Sequence, residues 1–69
     1  MYKLYDNIRK RREELGMSQS KLAELMGYSD KSMISRIESG QVDLPYSKVI
    51  EFAKALKIHP VELMVGWDY

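Results

Sequence analysis

The sequence has no cysteine, and it contains a single histidine, His59, among its 69 residues. Without cysteine the chain can form neither a disulfide framework nor a thiolate zinc site, and one imidazole leaves no second histidine to share a metal. We therefore predict no metal and no cofactor, and we interpret His59 as a capping or linker residue. The lack of cysteine suits a reducing compartment, so we expect the protein in the cytoplasm.

Long apolar runs and a strong charge of one sign are also missing. No stretch of about 18 apolar residues is present, so we predict no transmembrane span. The first ten residues, MYKLYDNIRK, lack the apolar core of a signal peptide. The formal net charge is only +1, and residues 1–40 hold eight Lys and Arg against six Asp and Glu. This weak basic bias indicates no function by itself.

The sequence shows none of the patterns that indicate catalysis. It has no glycine-rich phosphate loop and no serine beside its histidine. Glu13 and Glu14 are neighbours on a predicted helix, so their carboxylates diverge by about 100° and do not share a site. We predict no catalytic residue, and therefore no enzyme.

Helical periodicity is the dominant pattern, in a chain of which 45% is hydrophobic. Residues 1–69 are the length of one small domain. Apolar spacing predicts helices over about 3–15, 19–26, 30–39 and 45–56, with a short fifth helix from Pro60. The fold class is therefore all-α, a compact five-helix domain. The residues predicted to face its core are Leu4, Ile8, Leu15, Leu22, Leu25, Met26, Ile34, Ile37, Val49, Phe52, Ala53, Leu56, Leu63, Met64 and Val65, and further candidates on the first helix are Tyr5 and Arg12.

The chain is organised around residues 19–40, which read as two short helices joined by a tight turn. Ser18 can cap the first of these helices, and Gly27 can end it in the left-handed conformation. Either Ser29 or Asp30 can cap the second helix. Such a pair is typical of a helix-turn-helix, which places its second helix in the major groove of DNA.

The second helix of this pair has a polar, partly basic face opposite the inward-facing Ile34 and Ile37. The residues on that face are Lys31, Ser32, Ser35, Arg36 and Ser39. Any amphipathic helix has a solvated face, which is the plainer interpretation. However, short hydroxyls and cations can also approach base edges without bringing negative charge. We therefore predict that Lys31, Ser32, Ser35 and Arg36 read bases.

The segments QSKLAELMG and ISRIESG resemble the Cro/C1-type helix-turn-helix of lambda-like phage repressors and their relatives, the XRE family. The resemblance covers nearly the whole chain and implies a lambda-repressor-like DNA-binding domain. The segments GYSDKSMISRIESGQVDLP and LMVGWD look most like repressors of phages and prophages in Gram-positive bacteria. One departure is that the spacing from Gly27 to Ile34 is one residue longer than usual. Either the turn is longer, or the second helix gains a residue at its start.

The resemblance also implies roles for individual residues. Gln19 would bind a DNA phosphate from the start of its helix. The loop of Ser39, Gly40 and Gln41 would donate N–H groups to phosphates. Arg12 and Glu38 would form a buried structural ion pair.

The remaining cations of the first helix are assigned from the residues alone. Arg9 is a further candidate for a phosphate contact. Lys10 and Arg11 are predicted to belong to a solvated face.

These features together predict a transcriptional regulator, a repressor that acts by occluding a palindromic operator in double-stranded DNA. It would bind as a homodimer, with half-sites about 34 Å apart, and it would be associated with the nucleoid. The alternative is a protein-interaction module, an antitoxin-like or adaptor unit. Aromatic residues near the termini either cover the core or form a dimer interface. They are Tyr2, Tyr5, Trp67 and Tyr69.

Overall fold

A computed structural model describes residues 3–67, which form five α-helices and no strand. The helices are α1 (Lys3–Glu14), α2 (Gln19–Met26), α3 (Ser32–Glu38), α4 (Tyr46–Ala55) and α5 (Pro60–Val65). The prediction of an all-α, five-helix fold is confirmed. None of the described helices is both long enough and apolar enough to cross a membrane.

A single core lies between the five helices. α1 packs against α3 and α5, α2 packs against α3 and α4, and α4 packs against α5. α3 thus has its apolar side against both α1 and α2. The buried apolar residues are Ile8, Leu22, Ala23, Ile34, Ile37, Val49, Phe52, Ala53, Leu56 and Leu63.

Three residues predicted to face the core are instead exposed: Leu15, Leu25 and Val65. Leu15 lies outside the helix because α1 ends at Glu14. Leu25 and Val65 each come two residues after a buried position, Ala23 and Leu63 respectively. Two residues are a rotation of about 200° along a helix, which turns both side chains away from the core.

The two helices of the central pair begin and end with local hydrogen bonds. The Ser18 hydroxyl accepts the Lys21 N–H at 2.9 Å, and Gly27 ends α2 at φ +80°. α3 begins at Ser32, two residues later than predicted. The reason is that Asp30 Oδ1 accepts the Ser32 N–H at 2.8 Å, which keeps Asp30 in the turn. Residues 28–31 therefore lie in the turn, and Lys31 is the N-cap residue, with no capping hydrogen bond from its own side chain. Neither Ser29 nor Asp30 is the N-cap residue, although the Asp30 carboxylate binds the first backbone N–H of α3.

Arg11 does not belong to a solvated face, so this prediction was wrong. Its Nε–H donates to the Leu56 carbonyl at 3.0 Å and its Nη2 donates to the Lys57 carbonyl at 3.1 Å. These carbonyls lie just beyond the end of α4, where no intrahelical donor remains. Arg11 therefore fastens α1 to the link between α4 and α5.

The segment after α5 returns to the surface of α1. The Trp67 Nε1–H donates to Glu14 Oε2 at 3.2 Å, and Lys10 Nζ lies 5.0 Å from the centroid of the indole ring. Tyr5 is partly buried and packs against the core. Two of the four terminal aromatic residues, Tyr2 and Tyr69, lie outside the described residues.

The predicted pair Arg12 and Glu38 is in contact and joins α1 to the last residue of α3. Arg12 Nε donates to Glu38 Oε2 at 2.6 Å, and Arg12 Nη2 donates to Glu38 Oε1 at 3.0 Å. Only 10% of the Arg12 side chain and 3% of the Glu38 side chain is exposed. The hydrogen bonds to Glu38 raise the pKa of Arg12, so the guanidinium stays charged although it is buried. The Met17 carbonyl accepts from Arg12 Nη1 at 2.9 Å.

Replacing Arg12 with alanine is expected to destabilise the domain by about 3–5 kcal/mol, because it leaves the Glu38 carboxylate buried without a partner. Urea denaturation followed by circular dichroism measures the loss. Arg9→Ala is the matched control, since it removes the same side chain from an exposed position on the same helix. Equal midpoints for the two variants would show that the pair does not stabilise the fold.

Candidate nucleic-acid interface

The polar side of α3 forms one exposed surface on a rigid support. Ile34 and Ile37, on the opposite side, are fully buried. Ser32 and Arg36 share a face because they are one helical turn apart, and Ser35 and Ser39 continue that face. We call this surface the α3 face. Its residues, all exposed, are Lys31, Ser32, Ser35, Arg36 and Ser39.

Arg36 is the residue of the α3 face with the strongest recognition chemistry. Within residues 3–67 we find no hydrogen bond or ion pair of its guanidinium. Its planar set of N–H donors therefore stays available, and it matches the O6 and N7 acceptors of guanine. The serine hydroxyls beside it can both donate and accept hydrogen bonds.

Asp30 brings a negative charge to the beginning of the α3 face. The backbone N–H of Ser32 donates to its carboxylate, and this hydrogen bond holds the pKa of Asp30 below its ordinary value of 3.8. The attraction of Arg36 lowers the pKa further. Asp30 is therefore charged at neutral pH and is fixed by α3 itself.

The loop of Ser39, Gly40 and Gln41 differs from the expectation. Their three backbone N–H groups donate to carbonyls in the last turns of α3, at 3.1, 3.0 and 2.9 Å. These bonds form because Gly40 adopts φ +79° and ends the helix. In this structure these N–H groups are therefore used by the end of α3, and their donation to phosphates stays a prediction. Their polar side chains remain at the surface, where Gln41 Nε2 donates to Ser39 Oγ at 3.0 Å.

Backbone donors are available immediately after this loop, at residues that sequence reasoning missed. The N–H groups of Val42, Asp43 and Leu44 make no hydrogen bond within residues 3–67. The signal was present in the sequence, because a glycine that ends a helix uses its own N–H and the next one for the cap. Free donors therefore begin one residue after Gln41.

Gln19, the first residue of α2, is half-buried beside the ion pair. Its Nε2 donates to Glu38 Oε1 at 3.1 Å. Arg9 is exposed on α1 and makes no hydrogen bond or ion pair within the described range. The structure thus joins Gln19 to the end of α3, whereas no contact joins Arg9 to the α3 face. No group of three or more metal-ligating side chains occurs in the part of the chain that is described.

The geometry of α2 and α3 defines a class of protein. Two short helices meet at a glycine turn, and the second presents a polar face while its apolar side is buried. This arrangement is a helix-turn-helix, a DNA-binding unit. The helix-turn-helix family HTH_3 matches residues 8–63, and the chain belongs to this family.

Solved structures of similar fold include regulators from several sources. The restriction-modification controller protein C.AhdI from Aeromonas hydrophila is 35% identical, with 90% of this chain and 88% of that chain covered and a TM-score of 0.80. The hypothetical transcription factor NHTF from Neisseria is 28% identical, with coverage of 91% and 71% and a TM-score of 0.82. The P22 c2 repressor, in complex with a synthetic operator, is 25% identical, with coverage of 97% and 100% and a TM-score of 0.80.

The similar proteins support the resemblance to the helix-turn-helix family but not its narrower part, the likeness to repressors of Gram-positive bacteria. No match was found among the curated proteins. The similar structures come from Aeromonas, Neisseria and phage P22, so the expected closeness to repressors of Gram-positive bacteria is not supported. Membership of the helix-turn-helix family does not depend on that point.

The titration of Asp30 tests the beginning of the α3 face. Its carboxyl is expected to titrate below 3.8, because the Ser32 N–H stabilises the charged form. This contribution to stability is present above the unfolded pKa and is lost as the pH falls through the lower folded pKa. Carboxyl ¹³C NMR measures both values, the unfolded one in urea. Equal pKa values in the folded and unfolded states would show that the Ser32 N–H does not stabilise the Asp30 carboxylate. Asp30→Asn supplies a control in which the titrating charge is absent.

Proposed function

We propose that this protein is a transcriptional repressor that binds a palindromic operator in double-stranded DNA as a homodimer. The observation that carries the proposal is the α3 face, in which exposed polar side chains and an unpaired Arg36 stand on a fully buried apolar side. A rigid helix of this kind can enter the major groove without rearranging.

Base recognition is assigned to the middle of the α3 face. Arg36 donates two hydrogen bonds to a guanine, and Ser32 and Ser35 exchange hydrogen bonds with neighbouring base edges. Lys31, at the start of the helix, reads the base next to them. Because all four side chains project from one short helix, they contact consecutive base pairs of one half-site.

Phosphate contacts fix the position of the helix on the duplex. Gln19 and Arg9 contact the backbone from α2 and α1. The loop of Ser39, Gly40 and Gln41 lies along the phosphates and contacts them with the side chains of Ser39 and Gln41. The free N–H groups of residues 42–44 add donors beside this loop. These contacts carry no sequence information and make the affinity dependent on salt.

Repression follows from the size of the dimer on DNA. One domain measures 33 × 24 × 19 Å, so two domains fit side by side on half-sites about 34 Å apart. A dimer bound to an operator that overlaps a promoter would then exclude the polymerase. The protein would act in the cytoplasm, on the DNA of the nucleoid. The operator complex of the P22 c2 repressor and the 35% identity to a controller protein support regulation at DNA.

The pairing surface of the homodimer is assigned to the α4–α5 region, because exposed apolar side chains lie there. Val61 and Val65 are 49% and 57% exposed, and they are one turn apart on α5. They form an apolar strip on the outer side of that helix. The competing function, an antitoxin-like or adaptor module, is disfavoured because the α3 face offers no large apolar anchor of the kind that protein interfaces use.

Replacing Arg36 with alanine is expected to reduce affinity for the cognate operator by about 1–3 kcal/mol, because a bidentate contact to guanine is lost. It is also expected to relax the preference at one base position. Fluorescence anisotropy on the operator and on its single-base variants measures both effects.

Lys21→Ala is the control for this experiment, since it removes one exposed positive charge from α2, outside both the α3 face and the pairing surface. A loss of affinity that is equal on the operator and on random DNA would reassign Arg36 to a phosphate contact.

Selection from a random DNA pool at two salt concentrations tests the function as a whole. We expect enrichment of a palindrome with half-sites about one helical turn apart, and an affinity that falls steeply with salt. Absence of any enriched sequence, with a protein shown to be folded, would favour the interaction module instead. If light scattering shows a monomer, repeating the selection with a neutral dimeriser fused to the chain removes weak pairing as the cause.

A further inference from the structure

The buried ion pair of Arg12 and Glu38 includes a third residue, because Gln19 donates a hydrogen bond to the same carboxylate. Glu38 Oε1 accepts from Arg12 Nη2 at 3.0 Å and from Gln19 Nε2 at 3.1 Å. The Glu38 side chain is only 3% exposed, whereas Gln19 is half-buried at the first position of α2. A chain of hydrogen bonds therefore runs from the core to the beginning of α2.

The carboxylate determines which way the Gln19 amide faces. An ionised carboxylate only accepts hydrogen bonds, so the amide must present its NH₂ group to Glu38 and not its oxygen. Reversing the amide would place its carbonyl oxygen against a negative charge. The orientation of this side chain is consequently set by chemistry, although amide nitrogen and oxygen are otherwise hard to tell apart.

The same bond leaves one donor of Gln19 unused. Of the two Nε2 hydrogens, one is held by Glu38, and within residues 3–67 the other has no acceptor. It lies at the positive end of the α2 dipole, where an anion is stabilised. The Arg12 charge offsets the negative charge of Glu38, which would otherwise repel a phosphate.

We propose that Glu38 is a positioning residue for DNA binding, which holds the Gln19 amide so that its second N–H meets a backbone phosphate. This inference rests on the proposed function, and it goes beyond the structural role of the ion pair. Glu38 is the last residue of α3 and follows Arg36 by two residues. The hydrogen bond between Gln19 and Glu38 thereby fixes the position of the phosphate contact on α2 relative to the base-reading residues of α3.

A double-mutant cycle on operator affinity tests the proposal. Gln19→Met removes both N–H groups at nearly constant volume, and we expect about a tenfold loss of affinity. Glu38→Gln removes the charge that fixes the amide, and we expect a similar loss, about tenfold. Combined, the two changes are expected to cost little more than either alone, because both remove one contact.

Gln41→Met is the matched control for the cycle. It is the same substitution at an exposed glutamine whose amide binds Ser39 and not Glu38. Its effect is expected to add to that of Glu38→Gln. All measurements use temperatures at which circular dichroism shows each variant to be folded, so that lost stability does not pass for lost binding.

A measurement on the wild-type protein without DNA keeps the proposal testable even where Glu38→Gln does not fold. In side-chain amide NMR spectra, one Gln19 proton is expected to exchange slowly with water and the other quickly. If both exchange as in a free glutamine side chain, Glu38 does not hold the amide, and the proposal is wrong.

The outcomes separate this inference from the proposed function. Additive losses for Gln19→Met and Glu38→Gln, in a protein that binds its operator, would contradict the positioning role alone. Failure of the wild-type protein to bind any selected DNA would contradict the proposed function and this inference with it. Non-additive losses at Gln19, together with additive losses at Gln41, would support the inference.

Discussion

The buried ion pair between Arg12 and Glu38 is the interaction on which the rest of the structure depends. It is the polar link between the first helix and the reading helix, and both charges lie almost entirely out of water. An apolar pair of similar volume is often as stable as a buried ion pair, so stability alone does not require these two residues. A bidentate pair does fix the geometry of its partners. Its structural value is that α3 can neither slide nor roll without breaking charged hydrogen bonds.

Much of the fold could be predicted because it follows from local rules. Apolar periodicity gave the helices, the serine before α2 gave its start, and Gly27 gave its end. Ile34 and Ile37 gave the inward side of α3, and thereby the outward side that carries the serines and Arg36. The ion pair was different, since no spacing links residues 12 and 38. It was predicted only through resemblance to a family.

The features that could not be predicted depend on contacts between distant parts of the chain. Arg11 has the same local sequence signal as Lys10, yet it caps α4 because the packing of α1 brings it to two free carbonyls. Leu25 and Val65 belong to helices of eight and six residues, which are too short for apolar spacing to define the buried side well. The unpaired N–H groups after Gln41 are a different case, because the helix-ending glycine at position 40 already indicated which earlier N–H groups the cap uses.

The contact of Trp67 with α1 determines what spectroscopy of this protein reports. The chain has one tryptophan, and its indole is hydrogen-bonded to Glu14 and lies beside Lys10. α3, by contrast, contains no aromatic residue. Tryptophan fluorescence therefore reports on the contact between the segment after α5 and α1, and it does not report directly on α3. A fluorescence melting curve and a DNA-binding curve therefore report on different elements, the contact of Trp67 with α1 and the face of α3. Loss of both at one temperature would show that the domain unfolds cooperatively.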